Sequence, residues 1–265
     1  MALEEGAFND RGIDLEWVDV PEGTGRMSDM LAQGETDLAV MLTEGAVKSI
    51  VDGRPLQIVQ GYVESPLQWG IHVAGNSLFE RIKDLEGRRA AISRYGSGSH
   101  LMAFVFAKNQ GWNPEKLNFE VVNNMEGAIK ALREGGADFF MWEHFTTQPM
   151  VSAGHFRRLG DCPTPWPCFA IAASLEILEQ ERGALRHVLE VINLYTSDFK
   201  QIPSIDRTLA NRYGLQLTEV QKWLQITRWS QSQISSHIID NVITNLLDLN
   251  LISKYIPADQ VLTRL

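Results

Sequence analysis

Short apolar runs alternate with helix-like segments through the first two-thirds of this chain, and the alternation recurs at a fixed distance. Residues 14–20 (DLEWVDV), 37–42, 56–63, 89–93, 119–122 and 137–142 read as strands. Residues 25–33, 44–51, 99–110 and 125–133 read as helices, the third with Leu101, Phe104 and Val105 on its apolar side. Short continuous apolar strands between helices predict a parallel sheet covered on both faces, hence an α/β fold. Leu31-Ala-Gln-Gly34-Glu-Thr-Asp37-Leu-Ala-Val matches Leu132-Arg-Glu-Gly135-Gly-Ala-Asp138-Phe-Phe-Met at a constant offset of 101 residues. Each copy is a helix end, a Gly stop, an Asp and a buried strand. Gly takes the left-handed conformation after a helix cheaply, so any helix-to-strand junction accounts for one copy. The shared spacing makes duplication of a lobe an equal reading.

From Gly183 onward the grammar changes. Residues 184–199, 205–213, 218–229 and 238–249 read as amphipathic helices with no strand between them, and Thr218 with Gln221 fits a capping box. A chain of 265 residues can build two modest lobes. The extended stretches 62–73 and 166–173 are the expected crossings. They make lobe one discontinuous, residues 1–68 and 171–265, and lobe two residues 69–170, with a helical C-terminal tail.

Charge and composition exclude several functions. Lys and Arg number 24 against 33 Asp and Glu, a net charge of −9, with no basic run. A nucleic-acid partner needs many phosphates neutralised and is not expected. A small anion remains compatible, because a local field need not follow net charge. No apolar run reaches membrane-span length, so no membrane insertion is expected. The opening residues carry no basic and apolar signal pattern, so the chain as given reads as cytoplasmic; periplasmic residence is the alternative if a signal segment was removed. Cys162 and Cys168 flank a Pro-rich turn and read as two thiols, with a disulfide as the alternative.

Four places carry candidate chemistry. Ile92-Ser-Arg94-Tyr-Gly-Ser97-Gly98-Ser99-His100 follows a strand and opens a helix. Its backbone N–H groups and helix start suit an anion, Ser97 and Ser99 can cap the helix or bond an oxygen, and Arg94 can pair with charge. It is not a P-loop, since the Lys-Ser/Thr ending is absent. An ordinary Ser-capped loop is the bland reading. Thr24, in Pro21-Glu-Gly-Thr24-Gly, holds the corresponding position in lobe one, where a simple turn serves equally. Thr43-Glu44-Gly45 and Trp142-Glu143-His144 follow the two repeat strands, at the carboxyl ends where ligands bind open parallel sheets. Glu44 and Glu143 capping the next helices is the alternative. Ser65 and Trp69 fall at one crossing and Trp166 at the other, lining a cleft floor or packing a hinge.

No catalytic set can be argued from the order of the six histidines, no metal-ligand spacing is present, and no cofactor is expected. His100 and His144 read as hydrogen-bonding groups.

Gly-Thr-Gly-Arg-Met at 23–27, Leu-Thr-Glu-Gly at 42–45, Ser-Pro-Leu-Gln-Trp-Gly-Ile at 65–71, Ile-Ser-Arg-Tyr-Gly-Ser-Gly-Ser-His-Leu-Met-Ala at 92–103, Met-Trp-Glu at 141–143 and Thr-Pro-Trp-Pro at 164–167 resemble the type 2 periplasmic-binding-protein superfamily. The resemblance lies near the sulfonate/taurine and thiamine-pyrimidine-precursor binders, in a branch that includes a fungal intracellular protein and bacterial transporter substrate-binding components. It covers roughly residues 2 to 200. It implies two Rossmann-like lobes closing by a hinge over a small ligand, with a transporter permease as a possible partner. It does not name the ligand.

Relatives have a central strand before the helix expected to begin at Ala2. Without it two neighbouring strands lose hydrogen-bond partners, so either a native segment precedes this sequence or another segment fills the gap. The resemblance implies a solute-binding protein, a transporter substrate-binding component or a metabolite sensor, and not an enzyme; Arg94 and the Gly-Ser-Gly-Ser helix start add the expectation that its small organic ligand is anionic. The alternative is an enzyme on the same fold, related to thiamine-pyrimidine synthases or, more remotely, to a menaquinone-pathway dehydratase. The synthases carry a Cys-rich iron motif, and two cysteines fall well short of it.

Overall fold

A computed structural model describes all residues, Met1–Leu265. Eight strands and eleven α-helices follow in chain order: α1 Thr24–Gln33, β1 Leu38–Leu42, α2 Thr43–Val51, β2 Leu56–Val63, β3 Gln68–Ala74, β4 Arg89–Ile92, α3 Gly98–Asn109, β5 Asn118–Val121, α4 Met125–Glu134, β6 Phe139–Glu143, α5 Gln148–Ser152, β7 Phe156–Pro163, β8 Phe169–Ser174, α6 Leu175–Gln180, α7 Arg182–Ser197, α8 Ile205–Tyr213, α9 Leu217–Ile226, α10 Ser236–Asp248 and α11 Ala258–Val261. The chain divides into two compact units, Met1–Ser65 with Trp166–Leu265, and Pro66–Pro165.

The first unit holds a three-stranded sheet ordered β1-β8-β2. β8 runs antiparallel to both neighbours, with Leu42 opposite Phe169 and Leu38 opposite Ala173. Its core gathers Val59, Ile171, Ala173, Leu178, Leu185 and Leu189. Outside the ladders, Val63 bridges to Trp229 and Ile58 to Leu262. The second unit holds a five-stranded sheet ordered β5-β4-β6-β3-β7. Here β4 is parallel to β5 and β6, while β3 is antiparallel to β6 and β7. Ala91, Val122, Ala128, Leu132, Phe140 and Phe156 pack together on one side of it.

The wholly parallel sheets expected from the apolar runs are not found: the first unit's sheet pairs only antiparallel, and the second unit's is mixed. The reason is where the chain re-enters each unit. Trp166 leads into β8 at the edge where β1 ends, and Gln68–Trp69 lead into β3 at the edge where β6 ends. A strand that starts at its neighbours' carboxyl edge must run against them.

The repeat is geometric. α1 and β1 span residues 24–33 and 38–42; α4 and β6 span 125–134 and 139–143, the same bounds displaced by 101. Gly34 and Gly135 end the two helices at φ 70° and 76°, a conformation that costs glycine little.

Two local expectations fail. Residues 14–20 join no ladder, and Trp17 is 62% exposed. Leu15 instead packs with Phe8, Val188 and Leu38 in a small cluster on α7. No other segment completes a ladder on the far side of β1, which pairs only with β8. Thr218 and Gln221 form no capping box, because α9 begins one residue earlier, at Leu217, with Gln216 as an uncapped start. The strong hydroxyl cap lies further on, where Ser235 accepts from the Ile238 N–H to start α10.

Candidate ligand-binding site

The candidate residues collect at the carboxyl edges of the two sheets, one group in each unit. In the first unit β1 runs directly into α2, so Thr43 and Glu44 are the first helical residues. Ser65 follows β2, and Trp166 precedes β8. The backbone stitches these together: Thr43 N–H donates to the Cys168 carbonyl at 3.1 Å and Cys168 N–H to the Ser65 carbonyl at 3.2 Å. The Trp166 indole N–H donates to Glu44 Oε2 at 2.8 Å. Thr24, the first residue of α1, turns its Oγ1 to the Leu42 N–H at 3.2 Å. Its methyl packs on Gly45, where an added Cβ would lie 2.3 Å from Thr24 Cγ2. Ser65 Oγ accepts from the Arg228 N–H at 3.0 Å, a contact that fastens the chain after α9.

Three polar atoms of this unit are buried without a hydrogen-bond partner: Glu44 Oε1, Thr43 Oγ1 and Ser28 Oγ. Glu44 is 3% exposed. Burial pushes its carboxyl up to about 7, against the smaller opposing pull of its own backbone N–H and the Trp166 indole. Buried carboxyls are ordinarily paired, so a half-satisfied one is an unusual polar feature of this unit. Ser28, on the inner face of α1, carries no motif that sequence reading would select.

In the second unit the parallel strands β4 and β6 end at the same edge, and antiparallel β3 begins there. That places Ser93–His100, Trp142, Glu143 and Trp69 on one rim. Ser97 caps α3 by accepting from the His100 N–H at 3.3 Å. Ser99 Oγ accepts from the Ser93 N–H at 3.0 Å and lies 3.1 Å from Ser97 Oγ. The hydroxyls of this turn thus bond one another, and Gly98, the first residue of α3, sits between them. His100 Nδ1 accepts from the Gly96 N–H at 3.1 Å. Its ring sits against Phe119, Phe104 and Tyr95 at 4.7, 5.0 and 5.2 Å, and burial holds its pKa down. Arg94 is exposed at the tip of the turn.

Trp69 is buried, edge-on to Trp142 at 6.2 Å, and its indole N–H has no partner. Glu143 Oε2 accepts from the Thr146 N–H and hydroxyl at 2.6 and 2.7 Å, within the turn before α5; the N-cap of α5 is Thr147, so Glu143 does not cap that helix. A hollow along β4 and β5, lined by Arg88, Arg89, Tyr95 and Phe119, contains no unpartnered buried polar atom.

Behind this rim lies a polar network with no sequence signature. Arg158 Nε donates to His72 Nε2 at 3.2 Å, Nη1 to His144 Nε2 and Gln148 Oε1 at 2.7 and 2.9 Å, and Nη2 to the His144 carbonyl at 2.6 Å. His144 Nδ1 meets Asp161 Oδ1 at 2.8 Å, and Thr147 Oγ1 lies 2.9 Å from His72 Nε2. His72 is fully buried, and burial, then the Arg158 charge, pushes it down to about 3. The network fixes the loop after β6 onto β3 and β7. Cys162 and Cys168 are both buried thiols, and burial pushes Cys162 up to about 11, away from thiolate chemistry. No group of three or more His, Cys, Asp or Glu side chains is arranged to hold a metal ion.

This is the fold of the type 2 periplasmic binding proteins. Residues 69–162, almost the whole second unit, match a family model described as Ca3427-like PBP. A solved structure of the Candida albicans CA3427 gene product, described as defining a new family with the generic periplasmic binding protein fold, superposes with a TM-score of 0.88 at 21% identity, covering 99% of this chain and 90% of that one. The alkanesulfonate-binding protein SsuA of Xanthomonas axonopodis pv. citri, bound to MOPS, gives 0.83 at 18% identity, covering 100% and 93%. The periplasmic aliphatic sulphonate binding protein SsuA of Escherichia coli gives 0.71 at 19%, covering 100% and 88%. No curated protein sequence matches this chain significantly. No helix is long and apolar enough to cross a membrane.

Proposed function

We propose that this chain is a solute-binding protein that captures a small organic ligand. Its candidate binding residues are Thr24, Thr43, Glu44 and Trp166 within the first unit and, taken separately, Trp69, Arg94, Trp142 and the Ser97–His100 turn within the second. The observation that carries this reading is the set of idle buried polar atoms at the carboxyl edges: Glu44 Oε1 and Thr43 Oγ1 in one unit, Trp69 Nε1 in the other. Such atoms cost free energy until something pairs with them. The similar structures named for sulfonate binding support a binding role over catalysis. Ser65 and Glu143 serve as structural supports on this reading, since Ser65 Oγ and Glu143 Oε2 already accept hydrogen bonds.

As a transporter component the protein delivers its ligand to a membrane permease, which favours the periplasmic alternative over the cytoplasmic one. A thermal-shift screen with sulfonates, carboxylates, phosphates and pyrimidines tests the proposal. One class is expected to raise the melting temperature in a concentration-dependent way, without turnover. Release of a pyrimidine product on incubation with pyridoxal phosphate and iron would instead place the chain among the synthases.

A further inference from the structure

The geometry at the start of α2 points to a ligand that carries an N–H donor, and we infer that Glu44 selects for it by accepting that donor at Oε1. The inference rests on the solute-binding reading and deepens it. The sequence drew attention to an anion, through Arg94 and the serine-rich turn. The hydroxyls of that turn are engaged with one another, whereas the idle group of the first unit is a carboxyl.

The two oxygens of Glu44 are unequal. Oε2 takes the Trp166 indole N–H at 2.8 Å, and an indole is a donor only, so this contact holds the carboxyl with Oε2 as an acceptor. Oε1 is shielded and bonded to nothing. No Lys, Arg or His side chain forms an ion pair with Glu44. The start of α2 offers only partial positive charge, and its Leu42 N-cap makes no side-chain cap bond. The ionised carboxylate repels a plain anion, which only the protonated acid could serve, by donating its O–H from Oε1. An ammonium or amino N–H would satisfy Oε1, supply the missing counter-charge and leave Trp166 in place. Thr43 Oγ1, on the adjacent residue, is also buried without a partner.

The test uses the full chain and matched probes that differ only by an amino group: taurine against ethanesulfonate, β-alanine against propanoate, and aminopyrimidine against pyrimidine. Binding is followed by calorimetry and by thermal shift on wild type and on Glu44→Gln, whose fold is checked by circular dichroism. The expected result is that in at least one pair the amino member binds wild type about tenfold or more tightly than its partner, the range of a charge-assisted hydrogen bond. Glu44→Gln should then bring the two members level. A purely structural glutamate would weaken both members together and leave their ratio alone. Equal binding of both members to wild type, or a preference that survives Glu44→Gln, overturns the inference and leaves the solute-binding reading standing. Failure of every probe to bind counts against that reading itself, and the inference falls with it. Should Glu44→Gln not fold, the wild-type preference within each pair decides alone.

Discussion

Arg158 donates from Nη1 to Nε2 of His144 across 2.7 Å, and because a guanidinium has no acceptor, that nitrogen must present a lone pair. The His144 proton therefore sits on Nδ1, where it donates to Asp161 Oδ1 at 2.8 Å. A charge relay of cation, neutral imidazole and carboxylate joins β7 to the loop after β6. The same guanidinium donates from Nε to His72, so both imidazoles are needed as acceptors.

Removing the guanidinium should cost the second unit about 1–3 kcal/mol, the penalty of leaving buried polar partners unmatched. Arg158→Leu is expected to lower the urea midpoint of that unit. Arg158→Lys should recover little, since one ammonium cannot reproduce a fork that serves His72, His144, Gln148 and Thr147. Hydrogen exchange at β3, β6 and β7 amides reads the effect; full recovery in the Lys variant would show that charge alone matters.

His72 makes the second unit acid-labile. Its folded pKa is pushed down to about 3 from an ordinary 6.5, so the unfolded chain binds the extra proton between those values. Stability attached to this group is complete above about pH 6.5 and is lost as pH falls toward 3, at about 1.4 kcal/mol per pH unit. Replacing His72 with Leu should lower stability at pH 7, because Arg158 and Thr147 lose an acceptor or partner, while flattening the acid limb. Denaturant titrations between pH 7 and pH 4 compare the two slopes; identical slopes would remove His72 from the account.

Glu44 acts in the opposite direction on the first unit. Its carboxyl is pushed up to about 7 from 4.5, so the folded chain holds the proton more tightly. The associated stability is present below about pH 4.5 and is lost as pH rises through 7, on the order of 3 kcal/mol in all. In the absence of ligand, Glu44→Gln should therefore be more stable than wild type at pH 8 and close to it at pH 4. Melting curves across that range decide, and a variant less stable at pH 8 would mean that the ionised carboxylate is welcome where it lies.

Much of this architecture can be read from the sequence, and the parts that cannot share a cause. The helix, glycine and strand pattern at 24–42 and 125–143 is local, so its bounds follow from capping and periodicity. β7 is not legible: Phe-Arg-Arg-Leu-Gly-Asp-Cys-Pro has no apolar alternation, and it is a strand because β3 lies beside it. Residues 14–20 show the converse. Their pattern suits a strand, yet a strand needs a neighbour to pair with, and none pairs with them. At the candidate site, Glu44 and Trp166 are selectable by residue type and position, but their hydrogen bond spans 122 residues of sequence. Ser28 and Arg158 stand in ordinary helix and strand contexts, and only tertiary packing gives them their roles.

The contact between α1 and α2 sets the last expectation. Gly45 lies under the Thr24 side chain so closely that a new Cβ would come within 2.3 Å of Cγ2 and 3.3 Å of Cβ. Thr24 cannot simply turn away, because its Oγ1 holds the Leu42 N–H at the end of β1. Gly45→Ala must therefore push the start of α1 off the start of α2 or break that bond, a cost of about 1–3 kcal/mol typical of overpacking. Both consequences disturb Thr43 and Glu44, so ligand affinity should fall along with stability. Thr24→Ser removes the offending methyl and keeps the hydroxyl. The double variant should regain most of both losses, whereas Thr24→Val with Gly45→Ala should not. A thermodynamic cycle over the four proteins measures the coupling, and additive losses would show that the two helices do not meet through this pair.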